Sequence, residues 1–384
     1  MLDFFCKTLV LFVMSHDFAY FCPVFLIISH YLSLLSSMDE IVVRLFAWYD
    51  ECCRDLPWRS TRNPYYIWIS EIILQQTRVA QGYDYFVRFI ERFPTVESLA
   101  AAPEDDVMRM WQGLGYYSRA RNLHYAAQQI VSMGGFPATY DAIRSLKGVG
   151  DYTAAAIASF AFDIPKAAVD GNVCRVWSRV FGIDEPIDSA RGKQLITETA
   201  QALLPDAHAA KYNQAVMEFG ALQCVPRNPN CEACPLAHKC VALAEGRVGQ
   251  LPSKSHKTKV EPRYLTYLYI HNSESLLLHK RTADDIWRNL YELPLIELPS
   301  ATDTDTLFAT PEYAHWHSLL PNYVHKGSSE GVKHVLSHRV LHVAFHELEV
   351  QGALPCPEGF VVVPFDELHR YALSRLIERY MEGR

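Results

Sequence analysis

A mainly helical domain followed by a smaller α+β domain is the architecture predicted by this 384-residue sequence. Three observations predict it. Between Met38 and Glu245 the apolar residues recur at helical spacing in segments of roughly ten to twenty residues, punctuated by Pro57, Pro64, Pro94, Pro103, Gly113, Gly115, Pro137 and Pro205. Beyond Arg263 the pattern turns to alternation, over residues 264–271, 275–279 and 340–350, before a closing helix around residues 373–380. Between the two, the run LPSKSHKTK (residues 251–259) is polar and basic with no apolar period, as a solvated linker is, and it can also lie along phosphates. The expected boundaries are a leader at 1–37, a helical domain at 38–245, a linker at 246–262 and an α+β domain at 263–384.

An apolar share of 49% suits a soluble globular protein, and no internal repeat or low-complexity segment is present. With a net charge of −7, bulk charge gives no pointer to nucleic acid, so any DNA face has to be local or use backbone amides. Ten cysteines in a chain this long are not a secreted disulfide framework, and four of them fall in one short loop; a reducing, cytoplasmic setting is favoured. Residues 18–35 are about long enough to cross a bilayer, yet they carry Pro23 and His30 and lack basic flanks and a signal-type cleavage site. Met38-Asp39-Glu40 then opens an amphipathic helix, with Asp39 as its cap and Ile41, Leu45 and Trp48 on one face. Met38 therefore reads as the natural start, and no membrane partner is expected.

In the helical domain, Leu56-Pro57-Trp58-Arg59 leads into WISEIILQQT (residues 68–77). Glu71 and Gln75 are one helical turn apart and project from one face, among the apolar residues of a helix that should be buried. An acid in low-dielectric surroundings has a raised pKa and carries a proton at neutral pH; the alternative is an exposed Glu on a polar stripe. Next, GLGYYSRARN (residues 113–122) sets aromatics on a glycine turn beside Arg119 and Arg121. A tyrosine there can wedge between bases while the arginines hold phosphates, although single tyrosines are more often core residues.

In LKGVGDYT (residues 146–153), Gly148 and Gly150 precede an Ala-rich helix. The glycines allow a tight turn and a close approach to another molecule, and the free amides at the helix start make a seat for a phosphate. An ordinary helix–helix turn is the plainer reading. Asp170, in AVDGNVCRV (residues 168–176), follows an apolar run and precedes a second helix, where it caps the free amides and can also sit beside whatever the phosphate seat holds. The cysteines are spaced Cys224-x6-Cys231-x2-Cys234-x5-Cys240, a density that satisfies one tetrahedral zinc or one iron–sulfur cluster. Arg227 lies inside this loop, either as an exposed residue of a structural loop or as a phosphate contact.

In this order, SEIILQQT, GLGYYSRARN, LKGVGDYT, AVDGNVCRV and the cysteine loop resemble the MutY-type adenine DNA glycosylases of the helix-hairpin-helix superfamily, from residue 38 to the C-terminus. The related endonuclease III family shares the hairpin, the acid and the cluster but lacks the C-terminal domain. The resemblance implies a helix-hairpin-helix glycosylase domain of two helical subdomains, with an iron–sulfur loop at 224–240 and one [4Fe–4S] cluster held by Cys224, Cys231, Cys234 and Cys240. It also implies a C-terminal MutT/NUDIX-like α+β domain that reads 8-oxoguanine. The implied partner is double-stranded DNA with adenine opposite 8-oxoguanine or guanine, met by a monomer.

Site roles follow from the same resemblance. Glu71 matches the general acid that protonates the departing adenine, and Asp170, with Asn172 beside it, matches the carboxylate that stabilises the cationic sugar, two carboxylates flanking one glycosidic bond. The adenine must first leave the stack. Gln76 and Tyr116 match the residues that fill or wedge the vacated stack; Arg54, Leu56, Trp58, Arg59 and Gln214 match the lining of the adenine pocket; and Gly148, Gly150 and Arg227 are expected at the phosphates. At Tyr152 the bifunctional relatives place a lysine whose amine forms an imine with the opened sugar; a phenol cannot, so base removal without strand cleavage is expected. Cys174 stands where some relatives have lysine. The C-terminal domain lacks a run of acidic metal ligands, so it is expected to bind rather than hydrolyse. Its HVLSH (residues 334–338) matches the recognition loop, with Ser337 and His338 as polar contacts and Leu336 as an apolar contact where many relatives have Phe.

Overall fold

The computed structural model describes residues 40–255, 260–320, 322–336 and 338–383. The leader at 1–37, the cap Asp39 and the candidate contact Ser337 lie outside the described residues. Among the described residues twelve α-helices precede the sheet: α1 (residues 40–52), α2 (Pro64–Leu74), α3 (Val79–Arg92), α4 (Val96–Ala100), α5 (Glu104–Met110), α6 (Ser118–Ser132), α7 (Tyr140–Arg144), α8 (Asp151–Phe162), α9 (Gly171–Phe181), α10 (Ala190–Ala202), α11 (Ala209–Leu222) and α12 (Val241–Ala244). The described residues form two compact units, one containing 40–55 with 163–255, the other 56–162 with the described residues from 260 onward. The helical stretch read as one segment is thus shared between them.

In the first unit, α9 packs on α10, α11 and α12. Trp177, Val176, Tyr212 and Phe219 are buried with Leu45 and Tyr49 of α1. Asp170 caps α9 through its side chain, and Gly182 ends it in the left-handed conformation at φ 63°. The polar stretch read as a solvated linker is instead held on this unit as far as Ser255. Leu251 is buried, Arg179 Nε donates to its carbonyl at 3.0 Å, Ile187 N donates to Ser253 O at 3.1 Å, and Ser255 N and Oγ bond Asp188 at 2.8 and 3.0 Å.

In the second unit, Pro64 opens α2 and Asn63 caps it, its side chain accepting from Tyr65 N at 2.9 Å. The helix is apolar nearly all round, which is why it is buried nearly all round, at Tyr65, Ile67, Trp68, Ile69, Ile72 and Ile73. It packs on α8, whose run Ala154-Ala155-Ala156 with Ala158 has no bulk to hold the helices apart.

The C-terminal sheet has seven strands: β1 (Glu261–His271), β2 (Ser275–Lys280), β3 (Tyr291–Glu292), β4 (Leu295–Leu298), β5 (Tyr323–Val335), β6 (Arg339–Val350) and β7 (Phe360–Pro364). Their order is β3-β2-β1-β6-β5, with β4 on β1 and β7 on β2; β1 and β6 run parallel and β5 and β6 form an antiparallel hairpin. Between β4 and β5 lie α13 (Thr304–Phe308) and α14 (Pro311–Leu319), and α15 (Arg375–Glu382) closes the chain. Both faces are covered. Leu265, Tyr267 and Tyr269 of β1 pack with Leu376 and Ile377 of α15, while Leu268 and Ile270 pack with Tyr313 and Trp316 of α14. Among the described residues no helix is long and apolar enough to cross a membrane.

Candidate active site and nucleic-acid interface

The packing of α2 on α8 places the first candidate carboxyl within the second unit. Glu71 is 6% exposed, and the Tyr152 hydroxyl, from the first turn of α8, donates to its Oε2 at 2.6 Å. One turn along, Gln75 Nε2 donates to Thr153 Oγ1 at 3.1 Å, so the Glu71–Gln75 face is the one turned to α8. A hydrogen bond of this length fixes the carboxyl's orientation. Tyr152 therefore does more than take the place of a lysine.

The loop from α7 to α8 is the hairpin. Gly148 sits at φ 77°, and a Cβ there would lie 2.6 Å from Asn122 Cβ, so both conformation and contact require glycine. Gly150 has neither requirement; it is exposed, and space is open where its side chain would be.

Gln76 and Tyr116 share an unusual backbone. Both are exposed, and both are non-glycine residues at positive φ, 58° and 47°. Such conformations persist where the surroundings impose them, and Arg119 does so here. Its Nη1 donates to Ile72 O at 2.7 Å and also bonds Gln75 O, while its Nη2 donates to Gly115 O at 3.2 Å, tying together the two turns that carry Gln76 and Tyr116. Burial lowers the Arg119 pKa to about 10. The sequence left Arg119 and Arg121 open as phosphate contacts; here Arg119 is this clamp and Arg121 Nη1 donates to Arg288 O at 2.7 Å. Leu56 and Trp58 are buried, with Trp58 edge-on to Phe86 at 5.1 Å, and Arg59 is half-buried beside them in sequence.

The first unit holds the second carboxylate. Asp170 Oδ1 accepts from Asn172 N and Val173 N at 2.9 and 2.8 Å, and Oδ2 accepts from Asn172 Nδ2 at 2.8 Å. Burial pushes this carboxyl above the usual aspartate range, against the pull of those bonds and of Arg175. Arg175 was not legible as a site residue. Its Nη2 donates to Asn172 Oδ1 at 2.8 Å and to Gly220 O at 2.6 Å, and its Nε donates to Cys224 O at 2.7 Å. The Asn172 amide is thereby oriented with its NH2 toward Asp170. Gly220 is equally constrained, because a Cβ there would fall 2.6 Å from Asn172 Cβ. Cys174 is a half-buried thiol that burial pushes up to about 11.

Arg54 is committed to a partner that the sequence did not reveal. Its Nε and Nη2 grip Glu218 at 2.7 and 2.6 Å, and Glu218 is 1% exposed. Gln214 Oε1 accepts from the Tyr49 hydroxyl at 2.9 Å.

Cys224, Cys231, Cys234 and Cys240 are free thiols lining one cavity together with Arg179, Phe219, Leu236 and Leu243. Among the described residues no three His, Cys, Asp or Glu side chains gather as a single-ion site. Sulfur donors around a mostly apolar cavity fit a multi-atom iron–sulfur group. Arg179, 2% exposed, braces the loop by donating to Val225 O, Pro226 O and Cys224 Sγ at 2.8, 3.0 and 3.3 Å. Arg227 is exposed on that loop.

In the C-terminal domain Leu336 and His338 lie between β5 and β6, where Leu336 N donates to Arg339 O at 2.8 Å. His338 is exposed. Leu336 corrects an expectation: it packs against the core with Leu341 and Val343 rather than standing out as an apolar contact, while its neighbour Val335 is 66% exposed.

Residues 69–205 match the HhH-GPD superfamily of base excision DNA repair proteins, residues 224–240 the iron-sulfur binding domain of endonuclease III, and residues 266–383 a NUDIX domain. The adenine DNA glycosylase of Buchnera aphidicola subsp. Baizongia pistaciae is 37% identical over 251 residues, which are 64% of this chain and 71% of that protein. The adenine DNA glycosylase of Rattus norvegicus is 32% identical over an alignment that covers 91% of this chain and 79% of that protein. A solved thermostable thymine-DNA glycosylase aligns with a TM-score of 0.52 at 30% identity, covering 56% of this chain and 99% of its own.

Proposed function

Because the chain belongs to the adenine DNA glycosylase family, we propose that it removes adenine mispaired with 8-oxoguanine or guanine from double-stranded DNA, as a monomer and without cutting the strand. The observation that carries this reading is the buried Glu71 bonded by the Tyr152 phenol at 2.6 Å, an acid held in place beside a residue that cannot form an imine. Glu71 protonates the ring of the extruded adenine, which is otherwise a poor leaving group. Asp170, oriented by Asn172, meets the positive charge that develops on the sugar as the bond breaks. Water completes the hydrolysis. Gln76 and Tyr116 occupy the vacated stack; adenine contacts are assigned to Leu56, Trp58 and Arg59 in the second unit and to Gln214 and Arg54, braced by Glu218, in the first; and the amides at Gly148–Gly150 and the Arg227 side chain take phosphates.

The chain carries a [4Fe–4S] cluster, and we assign its ligands to Cys224, Cys231, Cys234 and Cys240. When bound, the cluster supplies a rigid centre for the loop that presents Arg227. We take residues 38–245 as the glycosylase domain, 246–262 as the connection and 263–384 as the domain that reads the base opposite adenine, with Ser337 and His338 as its contacts.

Competition between duplexes with adenine opposite 8-oxoguanine and opposite guanine, in one tube, tests the assignment of selectivity. The unaltered chain favours the 8-oxoguanine duplex. Ser337→Ala with His338→Ala lowers that preference by one to two decades, the value of lost base-edge contacts of about 1–3 kcal/mol. Equal use of both duplexes by the unaltered chain, or an unchanged preference in the double variant, contradicts it.

A further inference from the structure

We propose that Trp287 is a specificity-determining positioning residue, a prop that links the helical part of the second unit to the hairpin reading the base opposite adenine. The inference rests on the assignment of that reading to the turn at 336–338. Residues 281–290 connect β2 to β3, and Trp287 and Asn289 in that segment are non-glycine residues at positive φ, 60° and 68°. A bulky residue in this region is an outlier that its surroundings must hold.

They hold it from two sides. On the sheet side, Arg281 Nε donates to Ile286 O at 2.9 Å, Asn289 N donates to Arg281 O at 2.7 Å, and Leu290 N donates to Trp287 O at 3.0 Å. Arg281 is itself anchored on Glu292 and Asp285, at 2.7 and 2.9 Å. On the helical side, Arg121 of α6 donates to Arg288 O at 2.7 Å, and Asn289 Nδ2 bonds Glu104 of α5. The helix that supplies Arg121 also carries Arg119, the clamp on the turns bearing Gln76 and Tyr116.

The segment aims the indole at the hairpin. Trp287 lies edge-on to the imidazole of His334, with centroids 5.9 Å apart and planes at 62°. His334 pairs with Leu341 on β6 and precedes Leu336 by one strand alternation, so both side chains turn to the core face and Trp287 buttresses the base of the recognition turn. Burial lowers the His334 pKa, consistent with a neutral ring against the indole. A shift of the prop moves the turn without touching Glu71, Tyr152 or Asp170.

The test uses the full chain loaded with its cluster, competing the 8-oxoguanine and guanine duplexes. Trp287→Ala lowers the preference for the 8-oxoguanine duplex about fivefold, the scale of one lost aromatic pair, while Trp287→Phe keeps most of it. Excision from the guanine duplex and the melting temperature serve as controls for folding, and Arg121→Met, which releases the segment from the other end, shifts the preference in the same direction. Unchanged preference in Trp287→Ala with normal excision from the guanine duplex overturns the proposal, and so does an equal loss on both duplexes. If the unaltered chain shows no preference, the assignment of the turn at 336–338 fails first; if it does and the variants keep it, only the prop fails.

Discussion

Glu71→Gln lowers adenine release in a single-turnover assay by about 10²–10⁴-fold, the contribution of a positioned general acid, and leaves duplex binding within a few-fold. The two side chains have nearly the same volume, and the carbonyl oxygen of the introduced amide still accepts from the Tyr152 hydroxyl that now bonds Glu71 Oε2 at 2.6 Å. The packing of α2 on α8 is thus kept while the proton is lost, because an amide has none to give at neutral pH. Near-normal release by this variant would remove Glu71 from the mechanism. Parallel loss of binding would instead point to a collapsed helix pair.

Asp170→Asn lowers release by about 10²–10³-fold, the scale of removing one preorganised electrostatic contact, and it does so without weakening the fold. Asn caps a helix as well as Asp does, so the bonds to Asn172 N and Val173 N, at 2.9 and 2.8 Å, can be retained. Linkage fixes the sign for stability. The carboxyl's pKa is raised in the folded chain by burial, so its favourable contribution is present below the unfolded pKa and is lost as pH rises through the folded one. At neutral pH the ionised side chain is a cost, and the Asn variant melts no lower than the unaltered chain. Activity has the opposite dependence, since the ionised form is the one that stabilises the sugar cation. The rate falls on acidification through a pKa above the ordinary aspartate range, and an acid limb at or below that range would contradict the burial of Asp170. A variant that melts well below the unaltered chain would show that the carboxylate mainly holds α9.

The local setting of the candidate site was legible in the sequence. Asp170 as a helix cap, Gly148 in the hairpin, Glu71 on an apolar helix and the four cysteines each follow from spacing within one element or one loop. What was not legible depends on partners far along the chain: Glu218 grips Arg54 across 164 residues, and Arg175 reaches Cys224 across 49. Arg119 and Arg121 show the limit from the other side. An arginine beside an exposed tyrosine looks the same in sequence whether it faces a phosphate or a backbone carbonyl, and only the α2 turn and residue 288 decide which. Leu336 was misjudged for a related reason. Its inward direction is set by the pairing of His334 with Leu341, and a one-residue change of register would have exposed it. The linker was read as solvated because its composition is polar, yet Ser253 and Ser255 bond the loop at 187–188.

The central claim is acid-assisted removal of adenine with no imine chemistry, and one measurement tests it most directly. The full chain, loaded with its cluster, is incubated with duplexes carrying adenine opposite 8-oxoguanine, adenine opposite guanine, thymine opposite guanine, or an oxidised pyrimidine, and free base and strand breaks are scored separately. Free adenine from the first two duplexes, strands that break only after added alkali, and no adduct trapped by borohydride are the predicted results. Strand breaks before alkali, or release of a pyrimidine in place of adenine, would contradict the account.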